Sequence, residues 1–245
     1  MARFRIEIAG KVFSVTSLFE STKDYCGKYL TDAQADFSVE VFPEDLVREQ
    51  AYLDEEAREE GMKRRKFTDP FLERTVIQRK VAAHLLTCGT LLFHGSAVAV
   101  DGKGYLFTAS CGTGKSTHTR FWREVFGSRA VMVNDDKPFL KLTETGVLMY
   151  GAPWSGKHGL ETNLCVPLQG LCILTRGTEN RISPISPQEA LPMLLHQSCG
   201  GEEEALVPAI QRLARQLSES VPLWQMECTK DPSAALVSFE AMSRI

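Results

Sequence analysis

The segment that decides the fold runs from Gly104 to Phe126. It begins with the apolar stretch Gly104-Tyr-Leu-Phe-Thr-Ala109, continues through the turn Cys111-Gly112-Thr113-Gly114-Lys115-Ser116-Thr117, and ends in His118-Thr-Arg-Phe-Trp-Arg-Glu-Val-Phe126. These pieces predict a strand, a glycine-rich turn and a helix. Glycines let backbone amides converge on a polyphosphate, and the helix N-terminus adds partial positive charge. In such a cradle Lys115 neutralises the outer phosphates and Ser116 holds a magnesium ion.

The turn departs from the full phosphate-loop pattern at one position. The pattern asks for glycine where this chain has Ala109, whereas the core Gly112-x-Gly114-Lys115-Ser/Thr is kept. The alternative interpretation is a tight strand-to-helix connection with an exposed lysine. Because Gly-Lys-Ser-Thr stands at the strand-to-helix junction, we favour phosphate binding and predict that residues 111–117 contact a nucleotide.

Composition narrows the class of protein. The 245 residues are 43% hydrophobic and 24% charged, as in ordinary globular proteins, and the net charge is −3. A basic group at 63–66 follows an acidic run at 54–60, which favours a solvated helix surface over a phosphate or nucleic-acid patch. We therefore expect no nucleic-acid partner.

No apolar stretch approaches the roughly 20 residues that span a bilayer, and the first residues alternate like a strand. We expect a cytoplasmic protein without a membrane partner. The seven cysteines are scattered without a C-x-x-C pair, which favours neither disulfides nor zinc. A homo-oligomer is left open.

The chain divides at about residue 90. Residues 1–90 predict a smaller α+β region, and residues 91–245 a catalytic domain with a mixed sheet, so the predicted fold class is α/β (mixed α+β). The first region contains a predicted hairpin over 4–16, a strand over 37–42 and helices over 43–62 and 69–87, with Asp69 as cap of the second helix. The second region contains predicted strands over 91–100, 104–109, 130–133, 138–142, 147–150, 171–174 and 221–226, and helices over 187–198, 202–217 and 233–242. Ser186 and Glu189 form a capping-box pattern at the first of these helices.

Two acidic residues follow a short apolar strand. Asp135 and Asp136 come directly after Ala130-Val-Met-Val133 and Asn134. Phosphoryl transfer needs carboxylates near a phosphate loop, so we predict that one aspartate reaches magnesium and the other addresses the acceptor hydroxyl. The alternative is a solvent-facing turn. His94, at the end of a strand next to the loop, is a candidate phosphate contact or a satisfied core histidine.

A polar, glycine-rich segment over 150–163 is too long for a tight hairpin and is typical of a binding loop. In it, Lys157 and His158 are candidates to stabilise transferred phosphoryl charge, and Glu161 and Asn163 to hold metal or substrate. A structured surface loop with Trp154 packed beneath it is the alternative. Arg176 is a further substrate-binding candidate, with an ordinary surface arginine as its alternative.

Four features together resemble a known family: His94-Gly95-Ser96, the Ser-Cys-Gly-Thr-Gly-Lys-Ser-Thr loop, Asn134-Asp135-Asp136, and the Gly-Lys-His-Gly segment. Over roughly residues 91–185 they look like the HPr kinase/phosphorylase and phosphoenolpyruvate carboxykinase group. The resemblance implies that fold, ATP and Mg²⁺ as cofactors, phosphate contacts by Gly112, Gly114 and Lys115, metal contact by Ser116 and one aspartate, and acid or base chemistry by the other.

The chain also departs from that group. Bacterial HPr kinases are longer and have a different glycine-rich signature where this chain has Gly159-Leu-Glu-Thr-Asn163, and the compact architecture resembles lasso-peptide precursor kinases at least as well. We therefore expect a kinase acting on a serine-type hydroxyl of a protein, peptide or small molecule. The alternatives are a nucleotide-binding regulator without turnover and a phosphorylase or carboxykinase-like enzyme acting on a phosphorylated metabolite.

Overall fold

The computed structural model describes residues 1–59, 61–199 and 204–244, and over these residues the chain is a mixed α/β fold. The strands are β1 (Ala2–Ile8), β2 (Lys11–Ser17), β3 (Phe37–Glu40), β4 (Thr90–Phe93), β5 (Ser96–Val100), β6 (Lys103–Thr108), β7 (Ala130–Asn134), β8 (Phe139–Thr143), β9 (Gly146–Tyr150), β10 (Cys165–Arg176), β11 (Arg181–Pro184), β12 (Ser198–Cys199) and β13 (Leu223–Cys228). The helices are α1 (Glu20–Tyr25), α2 (Pro43–Glu59), α3 (Asp69–Leu86), α4 (Lys115–Phe126), α5 (Pro187–Gln197), α6 (Val207–Ser220) and α7 (Ser233–Met242).

A three-stranded sheet forms the first part of the chain. The strands β1 and β2 are an antiparallel hairpin, as the alternating sequence predicts, and β3 lies parallel to β2. Alternate residues of β1 are buried, and α3 packs against the sheet. Glu73 of α3 is fully buried and accepts hydrogen bonds from the backbone of Leu18 and Phe19 and from the Thr22 hydroxyl. A buried carboxylate with three donors ties α3 to the chain that follows the hairpin.

A second, mixed sheet holds the other ten strands. Its order is β12-β4-β8-β9-β10-β6-β5-β7, with β13 beside the second half of β10 and β11 beside β13. The strands β6 and β10 are parallel, whereas β5 is antiparallel to both β6 and β7. The ends of β6, β7 and β10 and the start of β5 therefore lie at one edge. This edge brings together the glycine turn, the aspartates, His94 and Arg176.

The two sheets share a hydrophobic core. Buried residues of the first sheet and of α3 form one cluster with Leu92, Phe139, Ala152 and Trp154 from the second. The division at residue 90 therefore separates the sheets in sequence, while the packing is continuous across it. The division of the chain into two domains at residue 90 stays a prediction.

The structure corrects several predicted elements. Residues 91–100 are not one strand: the chain breaks at His94-Gly95, where the two backbone amides donate to Gln197 and Asp136 carbonyls at 2.8 Å, and β4 and β5 have different partners. The strand predicted at 171–174 lies in the second half of the longer β10. The cap of α3 is Thr68, with Asp69 as the first helical residue.

Other elements agree with the predictions, and one predicted helix begins outside the described residues. The capping box of Ser186 and Glu189 is formed, and α7 spans 233–242 as predicted. The helix expected over 202–217 is α6, and its predicted first residues, 202 and 203, lie outside the described residues. In the described part of the chain, no helix combines the length and apolarity that crossing a membrane requires.

Candidate active site

The glycine turn leads from β6 into α4, which begins at Lys115. Gly112 and Gly114 have φ values of +72° and +125°, a region that other residues rarely adopt. Among the described residues, no atom lies within 4 Å of the place where a Cβ of either glycine would stand. The turn is therefore open on the side of these glycines, at the positive end of a helix, which is a favourable place for an anion.

Two cations contact the turn. The Lys115 ammonium group donates to the Ala109 carbonyl at 3.2 Å, so its side chain folds back over the turn. Arg176, the last residue of β10, donates from Nη2 to the Gly112 carbonyl at 2.6 Å. The sheet thus brings the predicted Arg176 to the turn, where it braces the backbone.

A cavity of about 410 Å³ lies in front of the turn. Its lining combines turn residues with α4 and the distant loop: Gly112, Gly114, Lys115, Ser116, Thr117, Arg120, Lys157 and His158. Cys111 is exposed on the turn, and Thr113 lines a smaller neighbouring cavity with Arg176. Sequence reasoning missed Arg120, although its position one helical turn after Ser116 placed it on the same side of α4.

Asp135 is buried beside the segment that follows β9. Its Oδ1 accepts a hydrogen bond from the Gly156 amide at 2.6 Å, and a Cβ at Gly156 would stand only 3.1 Å from Oδ2. Burial raises the pKa of Asp135, the neighbouring Asp136 charge raises it further, and the Gly156 amide opposes both. Close packing against a glycine therefore holds this carboxylate in a fixed place.

Asp136 is half-buried and lies next to His94. The His94 Nε2 atom is 3.4 Å from Asp136 Oδ1. Burial and the Lys115 charge together lower the pKa of His94 to about 4, against the opposing effect of Asp136. His94 is therefore neutral at pH 7. Its carbonyl accepts a hydrogen bond from Thr108, the last residue of β6, at 3.0 Å, so His94 contacts both the acid pair and the strand that leads into the glycine turn.

Asn134 organises the acid pair, and sequence reasoning assigned it no role. The side chain is fully buried; Nδ2 donates to the Ala152 and Trp154 carbonyls at 3.0 Å each. Its Oδ1 accepts from the amides of Asp136 and Lys137 at 2.9 and 2.7 Å. The signal in the sequence was the Asn-Asp-Asp-Lys-Pro turn, because asparagine often bonds the backbone two residues on.

The loop between β9 and β10 contributes Lys157 and His158 to the cavity, and both side chains are exposed. Trp154 is buried beneath the loop and donates from Nε1 to the Arg74 carbonyl of α3 at 2.7 Å. The packed tryptophan and the exposed side chains of Lys157 and His158 occur together, so the two interpretations of this segment are compatible.

Glu161 and Asn163 attach the same loop to the first region of the chain. Lys28 Nζ lies 2.9 Å from Glu161 Oε2, and Asn163 Nδ2 donates to the Lys28 carbonyl at 2.9 Å. Neither residue lines the cavity at the turn. The expected metal or substrate contact of these two residues is therefore not part of the site that the cavity defines.

A metal ion at this site would need phosphate oxygens of the bound substrate, or waters, to complete its coordination. Within residues 1–59, 61–199 and 204–244, no three His, Cys, Asp or Glu side chains converge on one point. Mg²⁺ is commonly held by one or two carboxylates together with substrate phosphates and waters. Ser116, Asp135 and Asp136 have the oxygen atoms that this mode of binding uses.

Comparison with known proteins adds little to this geometry. The chain matches no protein-family model, and no curated protein is significantly similar to it. Among solved structures it is similar to the Hpr(Ser) kinase/phosphatase from Coxiella burnetii, with 14% identity and a TM-score of 0.29 over 51% of this chain and 88% of that chain. A likeness this weak assigns no activity, substrate or cofactor to the chain.

Proposed function

We propose that the protein is an ATP- and Mg²⁺-dependent kinase that transfers the γ-phosphoryl group to a serine-type hydroxyl. One geometric observation carries the proposal: His94 Nε2 lies 3.4 Å from Asp136 Oδ1, and the His94 carbonyl accepts a hydrogen bond at 3.0 Å from Thr108, the last residue of the strand that leads into the glycine turn. We infer that the turn and the carboxylates that phosphoryl transfer requires act on one substrate.

The turn fits a polyphosphate. Gly112 and Gly114 leave its face open, α4 directs its positive end toward the cavity, and Lys115 and Arg120 supply cationic side chains. Across the cavity, Lys157 and His158 would meet the outer phosphate. Spreading charge over several fixed donors is the main contribution that a protein makes to this reaction.

The acid pair fits two different tasks. A general base must first be within hydrogen-bond reach of the proton it accepts, and its pKa matters second. Asp136 is the more exposed acid and faces a second cleft beside Trp154 and Gly156. We therefore assign Asp136 to the acceptor hydroxyl and assign Asp135, with Ser116, to the metal. Magnesium, when bound, would neutralise charge on the phosphate oxygens.

In the proposed reaction, the acceptor oxygen forms a bond to the γ-phosphorus, the bond between that phosphorus and the β,γ-bridging oxygen breaks, and ADP leaves. The hydroxyl proton passes to the Asp136 carboxylate. His94 stays neutral and adjoins Asp136, so it orients that carboxylate without competing for the proton at pH 7.

The experiment is transfer of label from γ-labelled ATP to serine peptides and small alcohols in the presence of Mg²⁺. We expect transfer by the wild type and a loss on the order of 10²–10³-fold in kcat/KM for Lys115→Ala, because a charge-stabilising donor is removed. Lys103→Ala is the matched control, since Lys103 is an exposed lysine at the opposite end of β6.

Equal transfer by wild type and Lys115→Ala would contradict the assignment of Lys115. Tight ATP binding with no transfer to any acceptor would instead favour a nucleotide-binding regulator. Circular dichroism and thermal unfolding of each variant separate these outcomes from loss of the fold.

A further inference from the structure

A second cleft adjoins the acid pair at Asp136. It measures about 630 Å³ and lies between α3 and the loop over 154–159, with Asp136 and Lys137 in its wall. Lys157 lines both this cleft and the cavity at the turn, so the two spaces meet at one side chain. An acceptor in the cleft and a nucleotide at the turn would therefore both lie next to Lys157.

One face of α3 forms a wall of this cleft. Phe71, Arg74, Thr75 and Gln78 line the cleft and have the spacing i, i+3, i+4 and i+7 of a single helical face. Seven residues of helix rise by about 10 Å, the length of about three extended residues. The wall is thus an elongated surface, which suits a chain segment better than a compact molecule.

The wall is fixed by contacts to the rest of the site. Trp154 donates to the Arg74 carbonyl, and the Arg74 guanidinium carbon lies 4.2 Å from the centre of the Tyr25 ring. Glu73, on the opposite side of α3, is buried and anchors the helix to the first sheet. A preformed surface of this kind loses little conformational entropy on binding.

The chemistry of the cleft selects an occupant. Phe71 is 43% exposed although it is a large apolar side chain, and Leu53 also belongs to the lining. Three cations, Arg74, Lys137 and Lys157, face one carboxylate, Asp136. No carboxylate of the described chain forms an ion pair with any of these three cations. The cleft is therefore cationic, and its lining also contains the apolar side chains of Phe71 and Leu53.

We propose that the α3 cleft binds the acceptor as an acidic peptide segment, with its hydroxyl at Asp136 and an apolar side chain on Phe71. This inference rests on the kinase function proposed above and gives the first 90 residues their role, which is selection of the acceptor. Acidic side chains of the segment complement Arg74, Lys137 and Lys157. An extended backbone follows the α3 face.

The test uses the full chain and three serine peptides of equal length, one with flanking Glu and Leu, one with Lys and Leu, and one with Glu and Gly. Binding is measured by fluorescence anisotropy and transfer by label from ATP. We expect the Glu and Leu peptide to have the lowest Kd and a kcat/KM at least about tenfold above the other two. Phe71→Ala should raise its KM and Kd about tenfold and leave kcat unchanged.

Leu236→Ala is the matched control, because Leu236 is an exposed apolar residue of α7 away from the cleft lining. Unchanged KM and Kd in Phe71→Ala, a preference for the Lys peptide, or equally efficient transfer to a small alcohol would overturn the cleft proposal. Phe71-dependent binding of the acidic peptide without any transfer would uphold the cleft and contradict the kinase proposal.

Discussion

The glycine turn after β6 and the acid pair after β7 meet at one edge of the sheet, but they are held in different ways. The turn is shaped mainly by its own residues, through two glycines at positive φ and the helix that starts at Lys115, and Arg176 adds one hydrogen bond to the Gly112 carbonyl. The acid pair is held by the buried Asn134 and by Gly156, which lies 21 residues beyond Asp135. A local motif carries its geometry within its sequence, whereas the acid pair needs the completed tertiary fold.

Substitution of the acid pair should give the largest effect. Asp136→Asn removes the proposed base, and we expect kcat to fall by about 10²–10⁴-fold with little change in the KM for ATP. Asp135→Asn should instead raise the Mg²⁺ concentration needed for half-maximal rate. Steady-state kinetics over a Mg²⁺ titration measure both, and a reversed pattern would exchange the roles of the two acids.

The stability that the packing of α4 gives to the fold behind the glycine turn should decrease in acid. His118 of α4 is buried, accepts a hydrogen bond from Trp122 Nε1 at 3.2 Å and contacts Ser238 Oγ at 3.0 Å, and burial lowers its pKa from 6.5 to about 4. Between pH 6.5 and pH 4, His118 is protonated in the unfolded chain and neutral in the folded chain. Stability present above pH 6.5 is therefore lost as the pH falls toward 4, by roughly 3 kcal/mol.

Urea unfolding at pH 7.5 and pH 4.5 measures this loss. His118→Gln cannot titrate at this position, so the difference in unfolding free energy between the two pH values should be smaller in the variant than in the wild type. An identical pH dependence in both proteins would show that His118 is already protonated in the folded state or exposed there.

A pair of glycines on either side of β6 tests whether the turn is locally determined. Gly112 and Gly102 have φ values of +72° and +78°, and nothing described lies within 4 Å of either Cβ position. Replacement by alanine should cost each protein about 1–2 kcal/mol of stability, from the left-handed backbone alone. Only Gly112→Ala should weaken ATP binding, measured by calorimetry. Equal ATP affinity in both variants would remove Gly112 from the nucleotide site.

The smallest expected effect concerns the attachment of the loop at 154–163. Lys28 is exposed, so its pair with Glu161 should contribute only about 0.2–1 kcal/mol in a double-mutant cycle of Lys28→Ala and Glu161→Gln, and less at high salt. Loss of phosphoryl transfer in Glu161→Gln with stability unchanged would instead place Glu161 in the reaction, as its sequence position first indicated.

Local patterns allowed much of the fold to be predicted. The strand-turn-helix around Lys115, the alternating hairpin at the start of the chain and the capping box at Ser186 each depend on neighbours within a few residues, and each is present. The aspartates at the end of β7 could be identified as candidates for the same reason.

The remainder depends on contacts between distant segments. Residues 91–100 are apolar on both sides of His94-Gly95-Ser96, and the separate partners of β4 and β5 show that the strand breaks at this polar interruption. The pairing of Glu161 with Lys28 and of Trp154 with Arg74 joins residues 133 and 80 positions apart. Those contacts form the α3 cleft, and no sequence pattern within α3 predicts it.

The most direct test of the central claim is a crystal structure of the protein with Mg²⁺ and a non-hydrolysable ATP analogue. We expect the phosphates to lie over the amides of the turn at 112–115, with Lys115 at the outer phosphates and the cation held by Ser116 and Asp135. Phosphates bound elsewhere, or a cation that does not contact Asp135 directly or through water, would contradict the proposed site.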